Sequence, residues 1–272
     1  MLTLAIDKCP VCVSSNQQDR FDDFEGNHYV ECLDCGLYFQ NPRVKTQYEE
    51  NYWGESIDPD GNKRILVEER DLSIKNKYAL DIEHVNNLSP GRILDAGAGF
   101  GFFLSAITND WEKHATELSE FCVDYIKQNS PEVDVKTEVL EDLSYPENFF
   151  DVIYCHHVIE HVEDPHSVIK NFSRMLKPNG TLIIGCPNVS SFVARRFKGN
   201  YRLLGSPHII MWNKKTLSNI LSKYRLETFD DKYPFFKTDY FTFGNLIRLI
   251  DNSKISPPFY GNLMTLYAKK MV

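Results

Sequence analysis

The sequence predicts an α/β protein, in which a doubly wound, mostly parallel sheet of seven strands follows a small cysteine-rich ribbon. Apolar strand-like runs that alternate with helical patterns after residue 91, and a glycine-rich turn behind the first of these runs, indicate the sheet. Two Cys-x-x-Cys pairs near the N-terminus indicate the ribbon. We therefore divide the chain into the ribbon (1–45), a helical connecting segment (46–90) and the sheet domain (91–272), with an insert near 232–262.

The cysteines of the ribbon are Cys9, Cys12, Cys32 and Cys35, and 19 residues separate the two pairs. This spacing is typical of a four-cysteine zinc site, and four thiolates leave no open position on the metal, so the site would be structural. Disulfides and free thiols are the alternatives, and a cytoplasmic location disfavours disulfides. Because so short a segment has little core, we expect the metal to supply its folding energy. We also expect the ribbon and the sheet domain to have separate cores.

The connecting segment and the insert both contain aromatic side chains. Those between Tyr48 and Trp53 are predicted to anchor the connection, and residues 66–87 carry a mostly helical apolar pattern. The aromatic residues of the insert could form a lid, an oligomer contact, a substrate wall or the core of a small subdomain. They are Tyr233, Phe235, Phe236, Tyr240, Phe241 and Phe243.

Seven strands are predicted in the sheet domain. In chain order they cover residues 92–96, 113–117, 134–137, 151–155, 181–186, 227–231 and 263–269. A helix before the fifth strand is indicated by the apolar stripe Val168, Ile169, Phe172, Met175 and Leu176, and another is predicted over 214–224. We expect the Pro-Asn-Gly sequence at 178–180 to end the first of these helices and to turn the chain into the fifth strand.

The turn after the first strand reads Asp95-Ala96-Gly97-Ala98-Gly99-Phe100-Gly101. Glycines let the backbone approach a ligand where a Cβ would collide, and the helix that follows presents free N–H groups. Glu117 ends the second strand about 20 residues later, where a carboxylate can accept hydrogen bonds from both hydroxyls of a ribose. The pattern therefore predicts a nucleotide-type ligand at the carboxyl ends of these strands.

Residues 92–188 resemble class I S-adenosylmethionine-dependent methyltransferases. The matching motifs are Asp-x-Gly-x-Gly-x-Gly, Phe-Asp-Val-Ile in the fourth strand, Val-Ile-Glu-His after it, and Leu-Lys-Pro-Asn-Gly-Thr-Leu before the fifth strand. The resemblance implies a Rossmann-like methyltransferase fold and S-adenosylmethionine as cofactor. It implies that Glu117 binds the ribose, that the segment with Leu140 and Glu141 lies along the adenine, and that His156 lies near the methionine part. The cofactor-binding residues implied in this way are Asp95, Gly97, Gly99, Gly101, Glu117, Leu140, Glu141 and His156, and Arg70 could reach the cofactor carboxylate.

A second resemblance covers nearly the whole chain. The motifs Cys-Pro-Val-Cys, Cys-Leu-Asp-Cys-Gly-Leu-Tyr-Phe-Gln-Asn-Pro-Arg and the later Ser-Pro-His-Ile-Ile-Met-Trp resemble zinc-ribbon methyltransferases of bacterial polysaccharide and nucleotide-sugar gene clusters. This implies methyl transfer to a hydroxyl of a small acceptor, a sugar carried on a nucleotide. The alternatives are a quinone precursor or another small molecule, an RNA methyltransferase, and a non-catalytic protein that binds S-adenosylmethionine.

A hydroxyl acceptor needs a general base, and histidine suits this role near neutral pH. We predict His157 or His208 as the base, with His161 third. His157, Glu160 and His161 are spaced i, i+3, i+4, so one helical turn would place them on one face, where they could ligate Mg²⁺. This region resembles ubiquinone-pathway O-methyltransferases, which place a Glu-x-x-Glu-His metal site here, although His157 replaces their first Glu. The alternative is that Glu160 and His161 only cap and stabilise the local backbone.

Composition excludes several other classes of function. The formal net charge of −8 disfavours nucleic acid as a partner. The sequence contains no run of about 18 apolar residues, so we expect no membrane span. The first residues lack the basic and apolar regions of a secretory signal, so we expect a cytoplasmic protein.

Overall fold

The computed structural model describes residues 3–44, 55–58, 61–205, 207–234 and 242–272. The aromatic residues from Tyr48 to Trp53, and four of those in the insert, lie outside these residues, so the predictions for them stay predictions. None of the helices in the described part of the chain is long and apolar enough to cross a membrane.

The elements are numbered in chain order over the described residues. The strands are β1 (Thr3–Leu4), β2 (Gln17–Asp22), β3 (His28–Cys32), β4 (Tyr38–Gln40), β5 (Arg43–Val44), β6 (Glu55–Ile57), β7 (Lys63–Ile65), β8 (Arg92–Ala96), β9 (Glu112–Thr116), β10 (Asp134–Lys136), β11 (Phe150–His156), β12 (Leu176–Pro187), β13 (Ile210–Met211), β14 (Leu226–Lys232) and β15 (Leu263–Lys270). The α-helices are α1 (Arg70–Leu72), α2 (Ala79–Asn86), α3 (Phe102–Ser105), α4 (Glu120–Asn129), α5 (Pro165–Met175), α6 (Phe192–Phe197), α7 (Lys214–Lys223) and α8 (Phe243–Arg248).

The main sheet has seven strands in the order β10-β9-β8-β11-β12-β15-β14. The first five are parallel, and β15 runs antiparallel to both of its neighbours. The doubly wound, mostly parallel fold is therefore confirmed. The strand order reverses beside β8, where β9 lies on one side and β11 on the other, and ligands bind such sheets outside the carboxyl ends of the strands at this point.

The predicted strands agree with the observed ones to within one or two residues, except for β12. Residues 178–180 do not form a turn before this strand but lie inside it, and α5 already ends at Met175. The register explains the difference: Leu176 pairs with Phe150, and the next pair is Thr181 with Val152. The Pro-Asn-Gly sequence forms an irregular, looped-out part of the strand, with Asn179 at φ +64°.

The connecting segment is not one helix. It contains a 3₁₀ turn (Leu66–Glu69), α1, a π-helical turn (Ser73–Lys77) and α2. The wide turn is closed by a hydrogen bond from the N–H of Tyr78 to the carbonyl of Ser73 at 3.0 Å. Asp81 of α2 is buried and accepts hydrogen bonds from the hydroxyls of Tyr154 in β11 and Tyr267 in β15, which link α2 to the sheet.

The ribbon strands β2, β3 and β4 form an antiparallel sheet that gains a fourth strand from the far end of the chain. β13 pairs antiparallel with β4, with Ile210 opposite Phe39 and Met211 opposite Tyr38. The ribbon is therefore joined by backbone hydrogen bonds to the segment that follows α6.

The ribbon and the main sheet share one hydrophobic core. A single cluster of buried side chains includes Cys9 and Phe39 of the ribbon together with Ile159, Trp212 and Leu217. The expectation of separate cores is wrong, because the segment that supplies β13 also inserts the fully buried Trp212 between the two parts. The indole N–H of Trp212 donates to the carbonyl of Ile159 at 3.2 Å and so reaches the loop after β11.

Candidate functional site

The glycine-rich turn after β8 has a backbone that side chains rarely adopt. Gly97, Gly99 and Gly101 have φ angles of +83°, +53° and +69°. A Cβ on Gly97 would also lie 2.4 Å from Cγ2 of Val158, in the loop after β11. The turn therefore needs glycine at Gly97 for both conformation and space, and it lies directly against the loop that carries the histidines.

Glu117 holds this turn from the end of β9. Its buried carboxylate accepts hydrogen bonds from the N–H of Gly99 at 2.8 Å, of Leu118 at 2.8 Å and of Ser119 at 2.9 Å. A carboxylate offers about four lone-pair positions, so it can still accept from a ligand hydroxyl. The structure thus brings Glu117 and the glycines together, as the spacing predicts.

Asp95 lies beside Glu117 at the end of β8 and is almost fully buried. Burial, together with the negative charge of Glu117, raises the pKa of Asp95 to about 8, and Lys77 partly opposes this effect. Asp95 is therefore a neutral acid over much of the physiological range, able to donate a hydrogen bond.

His156 is the last residue of β11, and its imidazole is buried. Neither ring nitrogen has a hydrogen-bond partner among the described residues. The ring stacks on Tyr154 and meets Tyr78 edge-on, and burial lowers its pKa well below the usual value, so it is neutral. Because buried polar groups are normally hydrogen-bonded, this orphaned imidazole, beside the glycine turn, fits a site that takes a polar ligand.

The remaining predicted cofactor residues lie in two places. Leu140 and Glu141 form a 3₁₀ turn held against α5, because both carbonyls accept from the side-chain amide of Asn171, at 3.2 and 2.6 Å. Arg70 donates to the hydroxyl of Ser105 at 3.2 Å.

Lys77 is a cation whose charge affects the site, where it interacts with Asp95, His156 and His157. Sequence reasoning missed it. Its position depends on the π-helical turn, and an isolated lysine in a helical pattern gives no signal of such a turn.

The loop after β11 is a turn and not a helix, so the predicted helical turn over residues 157–161 is wrong. His157 has a φ of +58°, and the N–H of His161 donates to the carbonyl of Val158 at 2.9 Å. The carbonyl of Glu160 accepts from the N–H groups of Ile209 and Ile210, at 3.0 and 3.1 Å, instead of continuing a helix. The turn still gathers the predicted histidines, because the segment before β13 packs against it.

Glu160 is the centre of this histidine cluster, which comprises His157, Glu160, His161 and His208. Its side chain is 0% exposed, with Oε1 at 3.1 Å from Nδ1 of His157 and at 4.0 Å from Nε2 of His208. The other oxygen, Oε2, has no hydrogen-bond partner among the described residues. The negative charge of this carboxylate partly opposes the lowering of the pKa of His161 by burial.

The hydrogen bonds of the cluster fix the tautomers of two histidines. Nδ1 of His208 lies 2.7 Å from the carbonyl of Leu203, and Nδ1 of His161 lies 3.1 Å from the carbonyl of Pro207. Because a carbonyl only accepts, the hydrogen is on Nδ1 in both rings and Nε2 carries the lone pair. Burial lowers the pKa of His157 well below its usual value, and burial lowers that of His161 to about 4.

The ligand atoms of Glu160, His161 and His208 all lie within 4.8 Å of one another, so this set could hold a metal ion. The predicted set contained His157 instead of His208. The difference arises because His157 turns Nδ1 toward Glu160, whereas His208 approaches from another segment.

The four ribbon cysteines are also brought together. Their Sγ atoms lie within 4.8 Å of one another, with Cys9 and Cys35 at 3.6 Å and Cys12 and Cys32 at 3.3 Å. Tetrahedral coordination at about 2.3 Å requires sulfur atoms roughly 3.8 Å apart, so the cluster fits Zn²⁺ with a small expansion. The hydrogen bond between the thiols of Cys9 and Cys35 lowers the pKa of Cys9 and raises that of Cys35, so the two share one proton when no metal is bound.

A family model and individual curated proteins both match part of this chain. The family model described as a methyltransferase domain matches residues 72–229. A ubiquinone biosynthesis O-methyltransferase of Coxiella burnetii is 28% identical over 146 residues, which are 50% of this chain and 57% of that protein. The protein of the same description from Rickettsia canadensis is 28% identical over 176 residues, 62% of this chain and 70% of that one. The chain thus spans little more than half the length of the first relative.

Among solved structures, an S-adenosylmethionine-dependent methyltransferase from Archaeoglobus fulgidus has a TM-score of 0.56 at 20% identity. The match covers 75% of this chain and 98% of that one, and it shows a shared fold. Neither curated relative is named for a sugar substrate, so these comparisons give no support to the predicted nucleotide-sugar acceptor or to polysaccharide biosynthesis. Their names fit the quinone alternative.

Proposed function

Because this chain belongs to the S-adenosylmethionine-dependent methyltransferases, we propose that it transfers a methyl group to a hydroxyl oxygen of a small molecule. The observation that carries this proposal is the buried carboxylate of Glu160 between His157 and His208, at the edge of the sheet where the glycine turn lies. A histidine with a nearby carboxylate can accept a hydroxyl proton and be stabilised as the cation. The family membership favours an enzyme over a non-catalytic binding protein.

The cofactor site is formed by the residues around the glycine turn. S-adenosylmethionine, when bound, supplies a methyl group activated on a sulfonium. Gly97, Gly99 and Gly101 give the backbone the close approach that this ligand needs, and Glu117 accepts from the ribose hydroxyls. Leu140 and Glu141 flank the adenine. At the methionine end, neutral Asp95 and His156 offer hydrogen bonds, and Lys77 offers a positive charge for the carboxylate.

His208 is the base that we favour. Its Nδ1 hydrogen is held by the carbonyl of Leu203, so Nε2 is the basic atom, and Glu160 lies 4.0 Å away to stabilise the imidazolium. His157 is the second candidate, but burial and the charge of Lys77 lower its pKa, which makes it a weak proton acceptor. We assign His157 the task of orienting Glu160. His161 is the third candidate, with the lowered pKa given above.

The acceptor that we propose is a phenolic hydroxyl of a quinone precursor. The support is the name shared by the two curated relatives, both ubiquinone biosynthesis O-methyltransferases. We propose that the ribbon holds a structural zinc ion at Cys9, Cys12, Cys32 and Cys35, whose sulfur atoms the fold brings together. When bound, Zn²⁺ would close the two Cys-x-x-Cys loops into one unit.

The test is an assay of methyl transfer to a catechol-type quinone precursor and to a panel of nucleotide-linked sugars. We expect product with the catechol and none with the sugars. The opposite outcome would overturn the quinone assignment and restore the sugar acceptor. If activity vanishes with a chelator and returns with Mg²⁺, while zinc stays bound, the cluster of Glu160, His161 and His208 acts through a metal, and the assignment of His208 as base is wrong.

A further inference from the structure

We propose that the cysteine ribbon positions the base, through Tyr29 and Gln40, which hold the backbone carbonyl of His208. These two ribbon residues would then be positioning residues for methyl transfer, although they do not touch the reactants. The inference rests on the proposed function, because it concerns the residue to which that function assigns proton transfer.

Two buried donors meet at one carbonyl. The hydroxyl of Tyr29 donates to the carbonyl oxygen of His208 at 2.6 Å, and the side-chain amide of Gln40 donates to the same oxygen at 3.2 Å. Gln40 also donates to the hydroxyl of Tyr29, at 3.2 Å, so the two side chains hold each other in place. They are 0% and 1% exposed, and buried hydrogen bonds of this kind are costly to break.

The backbone on either side of this carbonyl is held between the ribbon and the histidine cluster. On the ribbon side, the N–H of Gln40 donates to the carbonyl of Ile209 at 3.0 Å, where the pairing of β4 with β13 begins. On the cluster side, Ile209 and Ile210 donate to the carbonyl of Glu160. The segment that carries His208 is therefore bonded on one side to the ribbon and on the other to the backbone of Glu160, so both contacts fix the position of His208.

A second hydrogen bond holds the imidazole ring of His208, in addition to the bonds that hold its backbone carbonyl. Nδ1 bonds to the carbonyl of Leu203 at 2.7 Å, so the backbone bond to Tyr29 and the ring bond to Leu203 together aim Nε2 at Glu160. A shift of about 1 Å in a reacting group can lower a rate by about 10²-fold. Because the rate is this sensitive to position, we expect loss of the Tyr29 hydroxyl to lower turnover.

The metal site is connected to the same segment through its second Cys-x-x-Cys loop. The carbonyl of Gly36, next to Cys35, accepts from the side-chain amide of Asn213 at 3.1 Å, two residues after β13. The N–H of Gly36 donates to the carbonyl of Cys32 at 2.8 Å. The ribbon is thus bonded to the chain at both ends of β13, through Gln40 to Ile209 and through Gly36 to Asn213.

The experiment compares Tyr29→Phe with Tyr201→Phe, a matched control. Tyr201 is also buried, in the same cluster of side chains, and its hydroxyl donates to the carbonyl of Asn262 at 2.8 Å and not to that of His208. We expect Tyr29→Phe to lower kcat about 10-fold or more, with an unchanged KM for S-adenosylmethionine. Hydrogen exchange followed by mass spectrometry should show faster exchange at residues 207–211 in Tyr29→Phe and not in the control.

Gln40→Met provides a second variant that keeps side-chain length and removes the donor. It should show the same selective fall of kcat and the same faster exchange. If both variants turn over like the parent while His208→Asn is inactive, the positioning role is wrong and the assignment of the base stands. If His208→Asn itself keeps full turnover, the proposed base is wrong. If kcat falls equally in Tyr201→Phe, the effect is general destabilisation and the inference is overturned.

Discussion

The carboxylate of Glu117 accepts the backbone N–H of Gly99 at 2.8 Å, a bond that ties the end of β9 to the glycine turn behind β8. Glu117→Gln keeps the shape of the side chain but removes its charge. We expect S-adenosylmethionine to bind with a free energy weaker by about 1–3 kcal/mol, because charge-assisted hydrogen bonds are lost. Calorimetric titration measures this, with the exposed Glu120→Gln as control. Equal affinity in parent, variant and control would contradict the assigned role.

A second prediction concerns Gly97. Gly97→Ala places a methyl group 2.4 Å from Val158 at a residue with a φ of +83°, so the turn has to move. We expect cofactor binding to be lost and the apoprotein to be less stable by about 1–3 kcal/mol. Gly61→Ala, at a φ of +84° with no atom within 4 Å of the added group, is the control for conformation alone. Calorimetric titration with the cofactor and thermal denaturation of the two variants distinguish the effect of the contact with Val158 from the effect of backbone strain. Normal cofactor binding by Gly97→Ala would contradict the need for glycine at this position.

Asp95 gives a pH-dependent prediction. Its pKa is about 8 in the folded protein and near 4 in an unfolded chain, so the folded state keeps a proton that the unfolded state releases. The wild type should therefore lose stability from this group as the pH rises from about 4 to about 8, and no more above pH 8. Asp95→Asn has no such loss.

The melting temperatures of wild type and Asp95→Asn, measured without cofactor, check this sign. The advantage of the variant over the wild type should grow from about pH 4 to about pH 8 and then level off. Taking the difference between the two proteins removes the contributions of the histidines and cysteines that they share. If the difference between the two melting temperatures stays constant with pH, Asp95 is ionised in the folded protein.

The base assignment predicts the kinetics of two variants. His208→Asn should lower kcat by about 10²–10⁴-fold with cofactor affinity nearly intact. Glu160→Gln keeps the shape of the side chain but removes the negative charge beside His208, so it should also lower kcat, with cofactor affinity nearly intact. The exposed Glu163→Gln is the control. A kcat of Glu160→Gln equal to that of the parent would show that Glu160 does not assist the base.

The shared core changes what is expected when the ribbon is damaged. Cys32→Ser should abolish the binding of one zinc per chain and lower the stability of the whole chain in a single transition, since Cys32 belongs to the cluster that also holds Trp212. Cys122→Ser, a buried cysteine outside the ribbon, should keep its zinc. Elemental analysis and scanning calorimetry test both points. A separate, early transition of the ribbon would show that the two parts unfold independently.

The sheet could be predicted from the sequence because its strands are short apolar runs between clear helical patterns. The glycine turn and Glu117 could be placed together because parallel strands end at one edge of a sheet. These inferences depend on local periodicity and on general rules of topology. For the same reason the four cysteines, whose spacing is local, were grouped correctly.

The histidine cluster was only partly predictable. Spacing alone suggested a helical turn for His157, Glu160 and His161, whereas long-range bonds from Ile209 and Ile210 to the carbonyl of Glu160 hold the chain in a different turn. The contact of Tyr29 with His208 joins residues 179 positions apart. No periodicity in the sequence reports a pairing of this kind, so the link between ribbon and cluster could be found only in the folded structure.

The pairing of β4 with β13 has a consequence for folding while the chain is being synthesised on the ribosome. The ribbon strands emerge first, but the edge of β4 has no partner until residues 210–211 are made, about 170 residues later. At ordinary rates of synthesis this interval lasts roughly 10 to 30 seconds. During that time the edge of β4 and the side chain of Phe39 lack the partners that they have in the folded chain, and an unpaired strand edge of this kind can pair with other chains.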